Sequence, residues 1–528
     1  MIPYAMDTVY IPSESVRLFT VMLRPDAGGQ FPTVVVRTPY VDSYEAMPED
    51  QIAAAYLAEN VDWLRRGYAM VIQHCRGRGK STGDCVPYIH EREDGLALLD
   101  WIRRRPFYNG EIFLKGESYQ TSVHYAVAPF PADIRGAVFG VQDCERYNIC
   151  YRNGCFKIGL HGDWYVGMYK PKTIRHKNYV PGAFQTLPLR DFTQTVFGEP
   201  ADDFDRMLAA PRRDDPFWQT RAGGSDARNA VRDASFPILL TTGFYDIYTG
   251  GIFDMWRAMT AETRARCALV VSPYDHPDRV DGAHSVVFPS GQRKAQFGAQ
   301  YEIDWFDGIR GKRSMPFPQG LVTYYRLFEN RWASDAFAPE PQSVTVPLGS
   351  ESVTYTYNPY APPEFPGGLS CNFGGAMFQN PPGSRPDIVT VYTPPFVAEV
   401  FVKGDASAEL RVSSDCADTG FYIRLSLETP QGDFGLRDDI TSLCYQLGDY
   451  TPGTMVPLRF RFDPHAFRIA KGQRLRIDIA SADAAHYVRH TNCKGLFSAQ
   501  ATARIAHNTV DLAQSSLTLP IESHRTFR

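Results

Sequence analysis

Three short segments, each at the end of a predicted strand, carry side chains that could form a nucleophile and its base. Ser118 lies in Gly116-Glu117-Ser118-Tyr119, after the apolar run 112–114 and before a helix-compatible stretch. Such a strand-to-helix turn exposes a serine hydroxyl at the carboxyl end of a sheet. Because a serine hydroxyl is a weak nucleophile, it needs a base, normally a histidine held by a carboxylate.

Candidates for the carboxylate and the histidine follow two later strands. The apolar run 238–242 leads into Gly243-Phe244-Tyr245-Asp246, and the run 268–271 leads into Ser272-Pro273-Tyr274-Asp275-His276. Both segments would lie at the same sheet edge as Ser118, and the chain order serine, aspartate, histidine is typical of serine hydrolases built on a parallel sheet. The sequence therefore predicts a Ser118, Asp246 and His276 triad.

Other readings of these residues stay open. Ser118 could lie in an ordinary strand–helix connection, because Gln120 replaces the usual second small residue. His284 follows His276 by only eight positions and competes for the role of the base. The remaining competitors are acids that could be solvated and histidines that could be structural: Asp254, Asp275, His74 and His124.

The first part of the chain alternates apolar β-rich runs with helical stretches. Runs at 34–36 and 69–72 alternate with helix-like stretches at about 48–66 and 91–104. Continuous apolar strands separated by helices predict a parallel sheet covered on both faces. The alternation of apolar strands and helices stops after Cys144 and resumes near residue 237. This interruption predicts a helical insertion that caps the sheet.

The last third of the chain differs in residue composition and pattern. Proline and glycine are dense at 359–386, and short β-rich runs separated by turn residues follow. This pattern is typical of an all-β sandwich or jelly roll. We therefore divide the chain into a first α/β part (1–143), a helical cap (144–230), a second α/β part (231–319) and a C-terminal β part (320–528).

The composition indicates which classes of binding partner and which cellular compartment to expect. The chain has 55 Lys and Arg against 59 Asp and Glu, a net charge of −4 that gives no electrostatic reason to expect nucleic acid. No apolar run approaches the roughly 18 residues of a membrane span, and no signal-like start is evident. The ten cysteines form no Cys-x-x-Cys pair, so we expect no zinc site, mostly free thiols and a cytoplasmic location.

The segments around the three candidate residues resemble active-site motifs of the cocaine esterase/NonD family. This family is related to X-prolyl dipeptidyl aminopeptidases and α-amino-acid ester hydrolases. The resemblance spans nearly the whole chain. Besides the Gly-x-Ser-Tyr, Gly-Phe-Tyr-Asp and Ser-Pro-Tyr-x-His motifs, it includes Arg37-Thr38-Pro39-Tyr40, the Arg-Gly-x-Gly-x-Ser segment at 76–81, Asp215-Pro216-Phe217-Trp218, Gly367-Gly368 and Gly472-Gln473-Arg474-Leu475-Arg476.

The resemblance implies an α/β-hydrolase domain with a helical cap insertion and a C-terminal all-β jelly-roll domain. Ser118 would be the nucleophile, His276 the general acid/base and Asp246 its orienting carboxylate. The Tyr40 hydroxyl and the backbone N–H of Tyr119 would form the oxyanion hole, and no metal or organic cofactor is implied. On the other reading, Tyr40 is a packed aromatic residue after a proline turn.

Two departures from the family pattern stand next to the nucleophile. Thr121 occupies a position where the family commonly has glycine, and Glu117 precedes the nucleophile where a smaller or apolar residue is frequent. Either substitution could change the shape or charge of the pocket. Both leave the predicted triad complete.

We expect hydrolysis of a small-molecule carboxylic ester or amide through an acyl-enzyme. An X-prolyl peptidase would need an anion for the substrate amine, for which Glu117, Asp214 and Asp215 are candidates. A biosynthetic acyltransferase, or a ligand-binding protein with an inactive hydrolase domain, are further alternatives, and a homo-oligomer is possible. The expected pocket-lining residues are Glu117, Trp164, Tyr165 and Trp218.

Overall fold

The computed structural model describes residues 4–25, 28–169, 183–219, 226–278, 286–340, 342–369 and 375–522. The strands of its first part are β1 (Tyr4–Ser13), β2 (Val16–Pro25), β3 (Phe31–Thr38), β4 (Ala69–His74), β5 (Tyr108–Glu117), β6 (Ile134–Gly140), β7 (Tyr151–Arg152), β8 (Cys155–Phe156), β9 (Ile238–Gly243), β10 (Ala268–Ser272), β11 (Val322–Arg326) and β12 (Arg331–Asp335).

Within the described residues, ten of these strands form one sheet in the order β1-β2-β4-β3-β5-β6-β9-β10-β11-β12. The strands from β4 to β11 in this order pair in parallel. Antiparallel pairs, β1 with β2 and β11 with β12, close the two edges. The central strands β4, β9 and β10 are buried along their whole length, as expected for a parallel sheet covered on both faces.

The helices of the first part lie on the two faces of this sheet or in the segment between β6 and β9. They are α1 (Glu49–Arg65), α2 (Glu91–Arg103), α3 (Tyr119–Tyr125), α4 (Arg146–Cys150), α5 (Asp163–Met168), α6 (Phe192–Phe197), α7 (Asp202–Leu208), α8 (Ala227–Arg232), α9 (Thr249–Ala258), α10 (Ala261–Arg264), α11 (Arg293–Phe297) and α12 (Tyr301–Ile309). Helices α1 and α12 pack on one face, where Trp63 and Phe306 meet Phe113 of β5. Helices α2 and α9 bury their apolar residues on the other face.

The segment between β6 and β9 forms the cap. Its helices α4 to α7 and the short β7–β8 pair surround an aromatic core, which includes Phe184, Phe192 and Phe204. Phe184 and Phe192 stack with their ring centroids 4.1 Å apart. Because the same core takes in Ile247 and Tyr248 from the loop after β9, the cap packs against the carboxyl edge of the sheet.

The last part of the chain is rich in β structure. It contains β13 (Gln342–Pro347), β14 (Ser352–Tyr357), β15 (Val389–Tyr392), β16 (Val400–Gly404), β17 (Ser407–Ser414), β18 (Gly420–Thr429), β19 (Gly432–Ser442), α13 (Leu443–Leu447), β20 (Val456–Arg461), β21 (His465–Ile469), β22 (Leu475–Ala480) and β23 (Ala506–Ile521). In the described residues, one sheet has the order β20-β17-β23-β16-β21 with β13 and β14 also paired to β23, and the other has the order β15-β22-β18-β19.

The predicted α/β sheet, helical cap and β-rich C-terminal part are therefore present. The boundary predicted at 319/320 falls before β11, which continues the sheet by pairing in parallel with β10. Across the ranges given above, no helix is both long and apolar enough to cross a bilayer.

Candidate active site

Ser118 lies at a sharp turn between β5 and α3. Its backbone angles are φ 56° and ψ −132°, a conformation that costs a non-glycine residue on the order of 1–3 kcal/mol. The turn requires glycine at position 116, because a Cβ atom there would lie 2.4 Å from the carbonyl oxygen of Gln120. This strain is typical of a turn that presents a catalytic serine.

Thr121, where the resemblance expects glycine, fastens the turn to the neighbouring strand. Its hydroxyl donates to the carbonyl oxygen of Gly116 at 2.8 Å and accepts from the backbone N–H of Gly140 at 3.2 Å. The side chain is buried, so its hydrogen bonds satisfy a hydroxyl that would otherwise be costly to desolvate. This departure therefore supports the turn beneath Ser118.

Asp246 and His276 form a hydrogen-bonded pair just beyond β9 and β10. The Nδ1 atom of His276 lies 3.0 Å from Oδ1 of Asp246, whose side chain is wholly buried. Thr242 donates its hydroxyl to Oδ2 of Asp246 at 2.8 Å, and the backbone N–H of Tyr248 donates to Oδ1 at 3.2 Å. These donors fix the carboxylate, which in turn fixes the orientation of the imidazole.

The same sheet edge carries Ser118 and the Asp246–His276 pair. Strands β5, β6, β9 and β10 are successive parallel neighbours, so their carboxyl ends lie side by side. The charge of His276 is one of several that lower the pKa of Glu117, the residue directly before Ser118.

Tyr40 reaches Ser118 from the loop after β3. Its hydroxyl donates to Oγ of Ser118 at 3.3 Å, and its side chain is 41% exposed. Thr38 links this loop to α3, because its Oγ1 accepts from the backbone N–H of Tyr40 at 3.2 Å and from Nε2 of Gln120 at 3.0 Å. The exposure of Tyr40 is unlike that of a packed aromatic residue.

Tyr119 is the residue whose backbone N–H is the second predicted oxyanion donor, and its side chain holds it in place. Its hydroxyl donates to Oε1 of Glu91 at 2.6 Å, and Oε2 of Glu91 pairs with Arg37 at 3.0 Å. Burial, followed by the charge of Glu91, raises the pKa of Tyr119 well above its ordinary value. Sequence reasoning missed Glu91, because nothing local to position 91 signals a contact with α3.

Trp164 lies beside α3 in an aromatic cluster. Its ring centroid is 5.2 Å from that of Tyr119, 6.0 Å from that of Tyr88 and 5.5 Å from that of His161. Trp164 is half-buried, so part of its ring remains available to a ligand. Tyr88 and His161 were not predicted, since their proximity depends on how the cap folds over the sheet.

Tyr165 and Trp218, which were expected to line the pocket, lie in the core of the cap. Tyr165 is fully buried against Phe204, with its hydroxyl 3.3 Å from Oδ2 of Asp203. Trp218 is 6% exposed, and its indole N–H donates to the carbonyl oxygen of Ala210. Their polar atoms are engaged by cap residues, so these positions do not support a substrate-binding role.

Glu117 is exposed at the sheet edge but lies among positive charges. Desolvation by the surrounding protein alone would raise the pKa of its carboxyl, yet the charges of Lys115, Arg293, Lys294 and His276 lower it overall. Glu117 is therefore ionised at neutral pH, with its negative charge offset by its neighbours.

Two competing histidines are structural. His74 lies 3.1 Å from the Tyr56 hydroxyl, and His124 lies 3.0 Å from the carbonyl oxygen of Lys115. Burial lowers the pKa of each to about 3, with Lys80 adding to the effect at His74 and Arg37 at His124. Both are therefore neutral at physiological pH.

The other competitors differ in their surroundings. Asp275 is buried rather than solvated, and Asp254 lies on α9, 3.7 Å from Arg257. His284 lies outside the described residues. Among the described residues, no three His, Cys, Asp or Glu side chains are grouped so as to hold a metal ion.

Two family models match most of the chain. Residues 14–278 match the X-Pro dipeptidyl-peptidase (S15 family) model, and residues 321–517 match the model of the X-Pro dipeptidyl-peptidase C-terminal non-catalytic domain. Among curated proteins, the chain is 24% identical to cocaine esterase of Rhodococcus sp. (strain MB1 Bresler), over 92% of this chain and 91% of that protein.

Solved structures share the fold over the whole length. An α-amino acid ester hydrolase superposes with a TM-score of 0.80 at 18% identity, covering 98% of this chain and 97% of that one. An aminopeptidase from a marine sediment Thaumarchaeota archaeon gives the same TM-score of 0.80 at 17% identity, covering 98% of this chain and 96% of that one. A CocE/NonD family hydrolase from Staphylococcus aureus gives 0.66 at 14% identity, covering 98% and 93%.

Proposed function

This chain belongs to the X-Pro dipeptidyl-peptidase (S15) family, and we propose that it cleaves a small-molecule carboxylic ester or amide through an acyl-enzyme on Ser118. It is a serine hydrolase. The observation that carries the residue assignment is the hydrogen-bonded Asp246–His276 pair just beyond β9 and β10, at the same edge of the sheet as Ser118 after β5.

The geometry supports the following sequence of steps. Nε2 of His276 accepts the Ser118 proton as Oγ attacks the substrate carbonyl carbon, while Asp246 accepts a hydrogen bond from Nδ1–H and stabilises the imidazolium. The Tyr40 hydroxyl and the Tyr119 N–H donate to the oxyanion. His276 then protonates the departing alcohol or amine, and water releases the acyl group by the reverse sequence.

The surroundings of Ser118 favour an apolar acyl group. Trp164 and Tyr88 present aromatic rings beside α3, a surface suited to an aromatic or aliphatic group. The similarity to cocaine esterase, a protein named for an ester substrate, supports an ester as the scissile group.

An X-prolyl peptidase or aminoacyl hydrolase activity is the second candidate, favoured by the names of the family model and of two structural neighbours. Of the predicted amine-binding acids, Asp214 pairs with Arg212 at 3.2 Å, and Asp215 accepts from the N–H of Phe217 at 2.9 Å. Glu117 is charge-compensated. These contacts favour substrates without a free amine.

Matched substrates distinguish the two candidates. We expect p-nitrophenyl esters of an N-acetylated amino acid to have a higher kcat/KM than the corresponding free-amine esters, because positive neighbours offset the charge of Glu117, the carboxylate next to Ser118. A strong preference for free-amine esters, or for Ala-Pro-p-nitroanilide, would establish the peptidase-like reading. Product analysis with added amines or alcohols tests acyl transfer, which uses the same acyl-enzyme.

Labelling with a fluorophosphonate probe tests the nucleophile. Wild-type protein should label, whereas Ser118→Ala should not, because the probe phosphonylates an activated serine. Ser122→Ala, one turn further along the same helix, is the matched control and should label like wild type. Equal labelling of wild type and Ser118→Ala would remove Ser118 from the mechanism.

Two further features stay proposals. We propose a cytoplasmic location, which is supported by the cysteines: the nine in the described residues are free thiols. We also propose a homo-oligomer, which light scattering of the purified chain tests.

A further inference from the structure

Arg78 is a wholly buried arginine in the loop after β4, within the segment 76–81. Its side chain is 0% exposed. A buried guanidinium needs hydrogen-bond acceptors in several directions, because an unpaired buried charge is strongly destabilising. The acceptors of Arg78 lie on two separate parts of the molecule, and both adjoin the candidate active site.

The first group of acceptors brackets Tyr40. Nε of Arg78 donates to the carbonyl oxygen of Pro39 at 2.9 Å, and a terminal nitrogen pairs with the carboxylate of Asp42. Tyr40 lies between these two residues and is 41% exposed, so packing alone constrains its ring weakly. Arg78 therefore fixes the backbone from which the Tyr40 hydroxyl reaches Ser118.

The second group of acceptors belongs to the cap. Nη1 of Arg78 lies 3.4 Å from the carbonyl oxygen of Gly167 and 3.3 Å from that of Met168, in the last turn of α5. Carbonyl groups at a helix C-terminus lack partners within the helix and bind cationic side chains well. The same short helix carries Trp164, the half-buried ring of the aromatic cluster.

We infer that Arg78 is a positioning residue that couples the placement of the cap helix α5 to the placement of the Tyr40 hydroxyl. One planar guanidinium bonds both elements, so a shift of α5 disturbs the contacts that hold Pro39 and Asp42. A lysine keeps the charge but cannot reproduce the fork of donors. The inference rests on the proposed role of Tyr40 in stabilising the oxyanion.

A double-mutant cycle between Arg78→Lys and Tyr40→Phe tests the inference. Tyr40→Phe should lower kcat by about 10²–10³, the usual effect of removing one oxyanion donor. Arg78→Lys alone should lower kcat by about 10- to 100-fold, with KM changed far less, since misplacement of a catalytic group has effects of this size. In the Tyr40→Phe background the same lysine should lower kcat less than about twofold, because no hydroxyl remains to be positioned.

Controls separate positioning from folding. Arg76→Lys changes a neighbouring buried arginine that bonds Asp94 and Glu14 rather than the Tyr40 loop, so its effect on kcat should be the same in both backgrounds. If Arg78→Lys fails to fold, Asp42→Asn takes its place in the double-mutant cycle with Tyr40→Phe. The Asp42 side chain is 56% exposed, and this variant weakens only one of the guanidinium's partners.

Three results overturn the inference: full activity of Arg78→Lys, an equal loss of kcat in both backgrounds, or full activity of Tyr40→Phe. The last result also removes Tyr40 from the oxyanion hole. Because Ser118 labelling is measured separately, it leaves the proposed hydrolase activity standing, so the two failures are distinguishable.

Discussion

At the scale of single residues, the proposed triad lies close to several charged side chains. Glu117 lies within electrostatic reach of His276, and Lys115, Arg293 and Lys294 offset its charge. Arg293 also connects the triad loops, because it donates to the carbonyl oxygen of Thr242 at 3.0 Å and lies 3.6 Å from the carboxylate of Asp278.

Lys115→Met should raise the pKa of the Glu117 carboxyl, because it removes the positive charge that lowers this pKa most. Titration of the Glu117 carboxyl followed by NMR checks the sign, and an unchanged or lower pKa in the variant would contradict this electrostatic account.

The positions of Ser118, Asp246 and His276 near the ends of β5, β9 and β10 could be predicted from the sequence, because each strand is an apolar run that can be read locally. Glu91 and Arg78 could not. Their relevance comes from contacts with Tyr119 and with the Tyr40 loop, and such contacts exist only once distant segments have packed.

At the scale of elements, the strand-to-helix turn concentrates the strain. Ser118 has a positive φ, and Gly116 lets the backbone of α3 approach the end of β5. Such a conformation persists only where the surrounding structure holds it. Here the Thr121 hydroxyl, bonded to the carbonyl oxygen of Gly116, supplies part of that support.

Gly116→Ala should open this turn. The new Cβ would meet the carbonyl oxygen of Gln120 at 2.4 Å, so the backbone must shift. We expect a loss of about 1–3 kcal/mol in the free energy of unfolding and a slower rate of fluorophosphonate labelling. Gly29→Ala is the control, since its Cβ would make an ordinary 3.6 Å contact with Phe31. A wild-type labelling rate in Gly116→Ala would argue against the strained turn.

The sequence predicted the buried elements better than the edges. The apolar runs of β4, β9 and β10 and the helices α1 and α2 lie close to where their patterns put them. The hairpin of β1 and β2 was missed, since β1 mixes exposed and half-buried positions and lacks a continuous apolar run. Edge strands have less to bury, so their signal in sequence is weaker.

At the scale of the whole molecule, the C-terminal β part supports the loop that carries Asp246. Arg437, on β19, is 3% exposed and donates to the carbonyl oxygen of Phe244, and the Tyr245 hydroxyl donates to the carbonyl oxygen of Gly435 at 2.8 Å. Arg437 also donates to the carbonyl oxygens of Asp463 and Pro464. One buried side chain thus joins the two parts beside the triad.

Arg437→Met should lower both the melting temperature and kcat, because it leaves several buried carbonyl groups without donors next to the Asp246 loop. Arg459→Met is the control: this arginine lies on the same part of the chain, is 83% exposed and should be neutral. Calorimetry and ester hydrolysis measure the two effects. Unchanged kcat at a temperature where Arg437→Met is folded would show that the β part does not position Asp246.

Asp143 makes the stability of the molecule depend on pH. Burial raises the pKa of its carboxyl to about 7, although Lys157 lowers it in part. Its stabilising contribution is complete below about pH 4, the unfolded-state pKa, and is lost as pH rises towards 7. The Asp143→Asn variant has no carboxyl to ionise at this position. Its free energy of unfolding, relative to that of wild type, should therefore increase between pH 5 and pH 8.

Thermal unfolding at these two pH values checks the sign. Asp233→Asn, whose side chain is 72% exposed, is the control and should show the same small difference at both. An Asp143→Asn difference that shrinks with rising pH would contradict the assignment of a buried, neutral carboxyl. This coupling escaped sequence reasoning, since position 143 shows no sign of burial until the cap covers it.

Trapping the acyl-enzyme tests the central claim most directly. Acid quenching during ester turnover, followed by mass spectrometry of peptides, should find the acyl group on the peptide that contains Ser118, and Ser118→Ala should show neither the adduct nor turnover. An acyl group on a different residue, or full turnover by Ser118→Ala, would contradict the mechanism.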